Sequence, residues 1–193
     1  SATQSNFNGM TSELFTINAI DADDDTTSFD ITINVDAQVV QSVNLDYDSD
    51  LKENVTTGAA DDVINVGKDI EDYAVVNTGA GDDIINVSKD IDGHAKVNTG
   101  AGNDTINVKA NIEDDAQIDM GVGFDVLGLE DDTLDIDEIT SHIKNVEVID
   151  LDNNVDQKIN ISIKDIIDIT DEDNDLVFIG DDGDVIDFNE ADD

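Results

Sequence analysis

Four aspartates recur every 21 residues: Asp62, Asp83, Asp104 and Asp125. Each closes a short glycine-containing segment. The segments are Thr57-Gly58-Ala59-Ala60 before Asp62, Thr78-Gly79-Ala80-Gly81 before Asp83, and Thr99-Gly100-Ala101-Gly102 before Asp104. A degenerate fourth copy carries Gly121 and Gly123 before Asp125. Glycine permits backbone conformations that turn carbonyl oxygens into a loop, and each Asp adds a carboxylate. Loops of this kind, stacked on one another, offer only oxygen ligands. Calcium accepts six to eight of these in flexible geometry, whereas magnesium wants a tighter octahedron and zinc wants His or Cys. The spacing therefore predicts calcium cages between adjacent loops, about three for four loops.

The elements that must hold these loops show in the same period. Ile64, Ile85, Ile106 and Leu127 share one position, and Val66, Val87, Val108 and Leu129 the position two residues on. Alternation of this kind marks a strand with one face buried. A second strand follows in each period, with Ala74, Ala95 and Ala116 two residues before Val76, Val97 and Ile118. A single two-stranded coil cannot bury its apolar face. Stacked coils do so, forming a solenoid whose turns lie about 4.8 Å apart. Outward-facing Asn65, Asn86 and Asn107 then form a ladder whose role is structural hydrogen bonding. Ile70, Ile91 and Ile112 recur in the loops opposite the glycines, and they predict an apolar edge facing a one-sided calcium row.

Thr78-Gly79-Ala80-Gly81-Asp82-Asp83-Ile84-Ile85 is similar to the nonapeptide G-G-x-G-x-D-x-U-x of the calcium-binding RTX (repeats-in-toxin) β-roll. It departs by Thr78 at the first position; the first copy also has Ala60 in place of a glycine, and the fourth begins with Met120. The resemblance covers roughly residues 55–130 and implies an all-β, right-handed parallel β-roll with calcium as its cofactor. Two flanking segments resemble parts of large adhesins exported by type I secretion. Residues 14–36 resemble the last hairpin of an Ig-like extender repeat, with Asp21, Asp23 and Asp25 as further candidate ligands in its turn. Residues 131–193 resemble the α+β cap that follows RTX repeats. A short helix is expected within 135–145, strands at VEVIDLD and KINISI, and a helical turn with two strands over 164–188. Asp171, Asp173 and Asp175 mimic the start of an EF-hand loop without its Gly and Glu. The expected organisation is an extender-like segment over 1–38, a β-roll over 39–130 and a cap over 131–193.

Composition sets the outer bounds. Among 193 residues, 49 are acidic and 8 basic, a formal net charge of −41. Such a chain repels nucleic acid and anionic membranes, both of which are bound through Lys and Arg. There is no cysteine, so disulfides and thiolate metal sites are excluded. No apolar run has the length of a membrane span, and no G-x-S-x-G, P-loop or H-E-x-x-H motif occurs. His94 and His142 stand apart from any such motif, and an enzyme is not expected. Two carboxylates about 5 Å apart repel by about 3 kcal/mol at an effective dielectric near 20, so a column of them predicts folding that depends on calcium. The resemblance implies a monomeric, secreted or bacterial cell-surface module whose partners are calcium, the type I secretion apparatus of the parent protein, and a host or biofilm surface ligand. The alternative expectation is a calcium-dependent adhesion module that itself binds a sugar, a peptide or ice.

Overall fold

The computed structural model describes residues 12–20, 26–34, 41–130, 139–153, 156–171 and 175–189. Residues Ser1–Val39 and Val40–Asp193 form two compact units. In the first, strands β1 (Ser12–Ile20) and β2 (Thr26–Asn34) pair antiparallel, with Ile17 opposite Phe29. These are the two strands expected over 14–36. Asp21, Asp23 and Asp25, proposed as ligands in the intervening turn, lie outside the described residues.

The second unit is a parallel β-solenoid of about five turns. One sheet contains β3 (Asn44–Tyr47), β5 (Val63–Val66), β7 (Ile84–Val87), β9 (Thr105–Val108), β11 (Val126–Leu129), β13 (Val148–Asp150) and β15 (Val177–Ile179). The facing sheet contains β4 (Val55–Gly58), β6 (Val75–Ala80), β8 (Lys96–Ala101), β10 (Gln117–Asp119) and β12 (Ile143–Lys144). Neighbouring strands pair in the register of the sequence repeat: Ile64 with Ile85, Ile85 with Ile106, and Val76 with Val97. A slip of one residue would turn every apolar side chain outward, so the repeat itself fixes the pairing.

The core is a set of side-chain columns. Ile64, Ile85, Ile106 and Leu127 are fully buried, as are Ala74, Ala95 and Ala116 in the narrow space between the sheets. Ile70 and Ile91 are buried on the edge away from the glycines, where single parallel bridges link Leu51, Ile70, Ile91 and Ile112. Each such isoleucine contributes about 1.5–3 kcal/mol by leaving water. On the outside, Asn86 Nδ2 donates to Asn65 Oδ1 at 2.8 Å and Asn107 Nδ2 donates to Asn86 Oδ1 at 2.8 Å, which is the expected asparagine ladder.

The sequence period fades after Leu129, but the ladder of strands continues. β12 and β13 extend the two sheets, with Ile143 beside Ile118 and Ile149 beside Leu127. Beyond them β14 (Lys158–Ser162) pairs in parallel with β16 (Val185–Asn189). Helix α1 (Ile163–Ile169) sits between β14 and β15 in sequence, started by a capping box in which Ser162 and Asp165 exchange hydrogen bonds. It is short, and strands make up most of the regular structure among the described residues of this unit. The helical turn and two strands expected over 164–188 thus appear as α1, β15 and β16. Of the helix expected within 135–145, residues 135–138 lie outside the described residues.

Candidate metal centre

The glycine segments form one edge of the solenoid, where the chain passes from the five-stranded sheet to the seven-stranded one. Successive loops approach closely. A methyl group on Gly100, which has φ of 105°, would overlap the carbonyl oxygen of Gly79 in the turn before it. Gly58 has no such constraint: a Cβ there meets nothing within 4 Å. The first loop likewise carries Ala60 where the later loops carry Gly81, Gly102 and Gly123. Glycine is needed wherever one loop stacks on another.

Behind this edge runs a column of buried carboxylates. Asp62, Asp83, Asp104 and Asp125 are each at most 1% exposed. Every one accepts a hydrogen bond from the main chain of the preceding turn: Asp62 N donates to Asp83 Oδ1 at 2.7 Å, Asp83 N to Asp104 Oδ1 at 2.8 Å, and Asp104 N to Asp125 Oδ1 at 2.8 Å. At the first turn Val43 N donates to Asp62 Oδ1 at 2.6 Å. Beside the column the Thr hydroxyls also donate from each turn to the next, here from side chain to main chain. Thr57, Thr78 and Thr99 donate through Oγ1 to the carbonyls of Thr78, Thr99 and Met120 at 2.9, 3.0 and 2.7 Å. The structure thus brings the four repeat aspartates and the three repeat threonines into one stack.

One member of this stack escaped the sequence reading. Asp125 N donates to Glu147 Oε2 at 2.8 Å, so Glu147 continues the column into the next turn. It lies 22 residues after Asp125 rather than 21, and a glutamate replaces the aspartate. The longer side chain reaches the position that the shifted register would otherwise leave empty.

The column is not electrically satisfied by its own hydrogen bonds. Asp83 Oδ2 and Asp104 Oδ2 are buried without a hydrogen-bond partner. A buried carboxylate oxygen without a partner is costly, and the carboxyls respond by holding protons more tightly. Burial is the main cause that raises Asp83, Asp104 and Glu147 above their ordinary range. Burial, followed by the charges of Asp104, Glu147 and Asp171, pushes Asp125 up to about 7. The donor set is all oxygen and hard, which suits calcium or magnesium and not zinc. The orphaned oxygens fit a cation as counter-charge.

The carboxylates that converge most closely lie on the other edge. Asp50, Asp69 and Glu71 form one group, and Asp90, Asp92 and Glu113 another; within each group three oxygens lie within 4.8 Å of one another. Both groups could hold a metal ion. The isoleucine column expected on this edge is present, but it is flanked by acids that the one-sided reading did not include. A signal existed in the sequence: Asp50, Glu71, Asp92 and Glu113 stand at the same 21-residue spacing. Lys52 lies 2.7 Å from Glu71 and Lys68 3.7 Å from Asp50, so the first group is partly neutralised. In the second, burial and then the charges of Glu71, Asp69, Asp90 and Glu113 raise Asp92 to about 6.

The remaining candidates are dispersed. Asp171 lies near enough to Asp125 and Glu147 to raise both, whereas Asp173 is outside the described residues. His94 stacks on Tyr73 with ring centroids 4.7 Å apart, and its Nε2 lies 3.2 Å from Asp115. His142 Nδ1 is 2.8 Å from Ala116 O. Among the described residues no helix is long and apolar enough to cross a membrane. No protein-family model, curated protein or solved structure matches the chain.

Proposed function

We propose that this chain is a calcium-binding structural module of the RTX β-roll type, which folds on meeting calcium outside the cell. The observation that carries this reading is the buried column Asp62–Asp83–Asp104–Asp125–Glu147, with two carboxylate oxygens that lack a hydrogen-bond partner among the described residues. Five acids stacked at strand spacing need a counter-charge, and an oxygen-only donor set favours a hard cation. The glycine segments with their aspartates would hold ions on one edge, and the two acidic groups beside Ile70 and Ile91 would hold ions on the other.

Such coupling suits an exported surface protein. A chain left unfolded where calcium is scarce can thread a narrow export channel, and calcium outside then drives folding and opposes its return. A site held at about 100 times its dissociation constant contributes about 2.7 kcal/mol. Three such sites are comparable with the stability of an ordinary domain, about 5–15 kcal/mol. The biological role that follows is support and presentation within a secreted or cell-surface adhesin.

The test is a calcium titration of the metal-stripped protein, followed by circular dichroism while calorimetry counts the ions. The expected result is a cooperative gain of β signal with about three or more ions bound, which magnesium does not reproduce. A stripped protein that is already folded, and unchanged by calcium, would overturn the proposal.

A further inference from the structure

The two outer faces of the solenoid treat their asparagines differently. On the seven-stranded sheet, Asn65, Asn86 and Asn107 satisfy one another. On the five-stranded sheet, Asn77 and Asn98 pair in the same register between β6 and β8, yet neither side chain makes a hydrogen bond among the described residues. The lysines show the same contrast. Five of the eight basic residues are in ion pairs, whereas Lys96 and Lys144, on this same face, have none among the described residues. In a chain with 49 acids, two unpaired lysines in one place are unexpected.

These groups line one open groove of about 330 Å³ on this face, together with Val75; Val97 and Ile118 border it, with their side chains buried in the core. Gln117 and Asp119 complete it. Gln117 spends Nε2 on the carbonyl of Ala116, leaving Oε1 as an acceptor. Asp119 receives Asn145 Nδ2 at 2.7 Å on Oδ1, leaving Oδ2. The groove therefore presents donors and acceptors side by side along strands about 4.8 Å apart, a repeat close to the length of one pyranose unit. Tyr73, 72% exposed and stacked on His94, stands two residues ahead of Val75 in the turn that enters β6.

We infer that this groove is a binding site for a linear, uncharged glycan lying along the solenoid axis. Each hydroxyl of a sugar both donates and accepts, and so matches the mixture of amide, ammonium and carboxylate groups better than a purely anionic or apolar ligand does. A net charge of −41 opposes a polyanion over the surface as a whole. The volume is at the lower end of the range for small-molecule sites, about 300–1,000 Å³, which suits two or three sugar units at modest affinity. The groove is built from sheet residues and not from the loops, so the inference is separate from the calcium reading.

The test is nuclear magnetic resonance on the full chain in calcium-containing buffer, following side-chain amides during titration with cellohexaose, laminarihexaose, maltohexaose and a mannohexaose. At least one sugar should shift the amides of Asn77 and Asn98 with a dissociation constant near about 1 mM. Asn98→Ala and Lys96→Ala, both at exposed positions, should each weaken it about tenfold. Lys89→Ala, which removes a lysine outside the groove with no ion pair among the described residues, should leave it unchanged. No shift with any of the four sugars at about 5 mM, or binding indifferent to both groove variants, overturns the inference. Stronger binding of an oligogalacturonate overturns the assignment to an uncharged glycan. Circular dichroism of the same calcium-containing samples separates the two failures: folded protein that shifts with no sugar counts against this inference alone, whereas the calcium proposal is judged by the separate titration of the stripped protein.

Discussion

Replacing Asp104 with Asn should change stability in opposite directions with and without calcium. Asparagine keeps an oxygen for the hydrogen bond from Asp83 N and removes the charge whose second oxygen has no partner. Asp83 and Asp125 flank it in the column, at about 4.8 Å if the strand spacing is taken as the separation. Each ionised neighbour then repels it by about 3.5 kcal/mol at an effective dielectric near 20. Proton uptake limits this, since Asp125 titrates near 7. A gain of about 2–4 kcal/mol is therefore expected for the metal-free protein at slightly alkaline pH. For a unit of this size, that raises Tm by roughly 5–15 °C. With calcium in excess, the same variant would lose a ligand shared by the proposed cages on either side. At about 2.7 kcal/mol for each, up to about 5 kcal/mol is lost. Circular dichroism measures both signs, as a larger folded fraction of the variant in chelator and as a lower Tm in calcium. Equal destabilisation in the two conditions, or none in either, would refute the argument that the column carries uncompensated charge.

Other outcomes follow from the same geometry. Gly100→Ala should destabilise the chain by about 3 kcal/mol or more, because its Cβ overlaps the Gly79 carbonyl at positive φ, whereas Gly58→Ala should stay within about 0.5 kcal/mol; urea unfolding of the two variants tests the contrast. Ile91→Ala, at a fully buried position in its column, should cost about 2–5 kcal/mol in the same assay. In chelator, stability should fall as pH rises. Asp125 titrates near 7 when folded against an ordinary value of 3.8, so the folded chain binds the extra proton between these values. That contribution is complete below about 4 and lost above about 7, a difference of about 4 kcal/mol. Glu147→Gln should narrow this window by removing one of the charges that raise Asp125, and Tm measured against pH reads the change.

Much of the solenoid was legible because its signals repeat. Ile64, Ile85 and Ile106 define the inward face, and the 21-residue spacing gives the strand register directly. Where the repeat decays, legibility decays too. Ile143 and Ile149 extend both sheets, yet the spacing from Leu127 to Ile149 is 22 and no glycine segment announces the turn. Glu147 was hidden by that same inserted residue. The acids of the far edge were obscured differently: Asp50, Glu71, Asp92 and Glu113 keep the period but alternate in type, in a sequence where acidic residues are everywhere. Nor could the sequence separate the two asparagine columns. Asn86 and Asn98 are the same residue on outward strand positions, and only the packing around them determines which finds a partner.

The carboxylate, hydroxyl and strand hydrogen bonds of the repeat turns mostly join residues 21 apart in sequence. A turn is tied to its two neighbours and to little else. Under tension applied at one end, the structure should therefore yield like a coiled spring losing single loops, each rupture releasing about 70 Å of chain at about 3.4 Å per residue. An ion seated between two loops would act as a rivet across each rupture plane, so the supply of metal would set the force at which the coil lengthens.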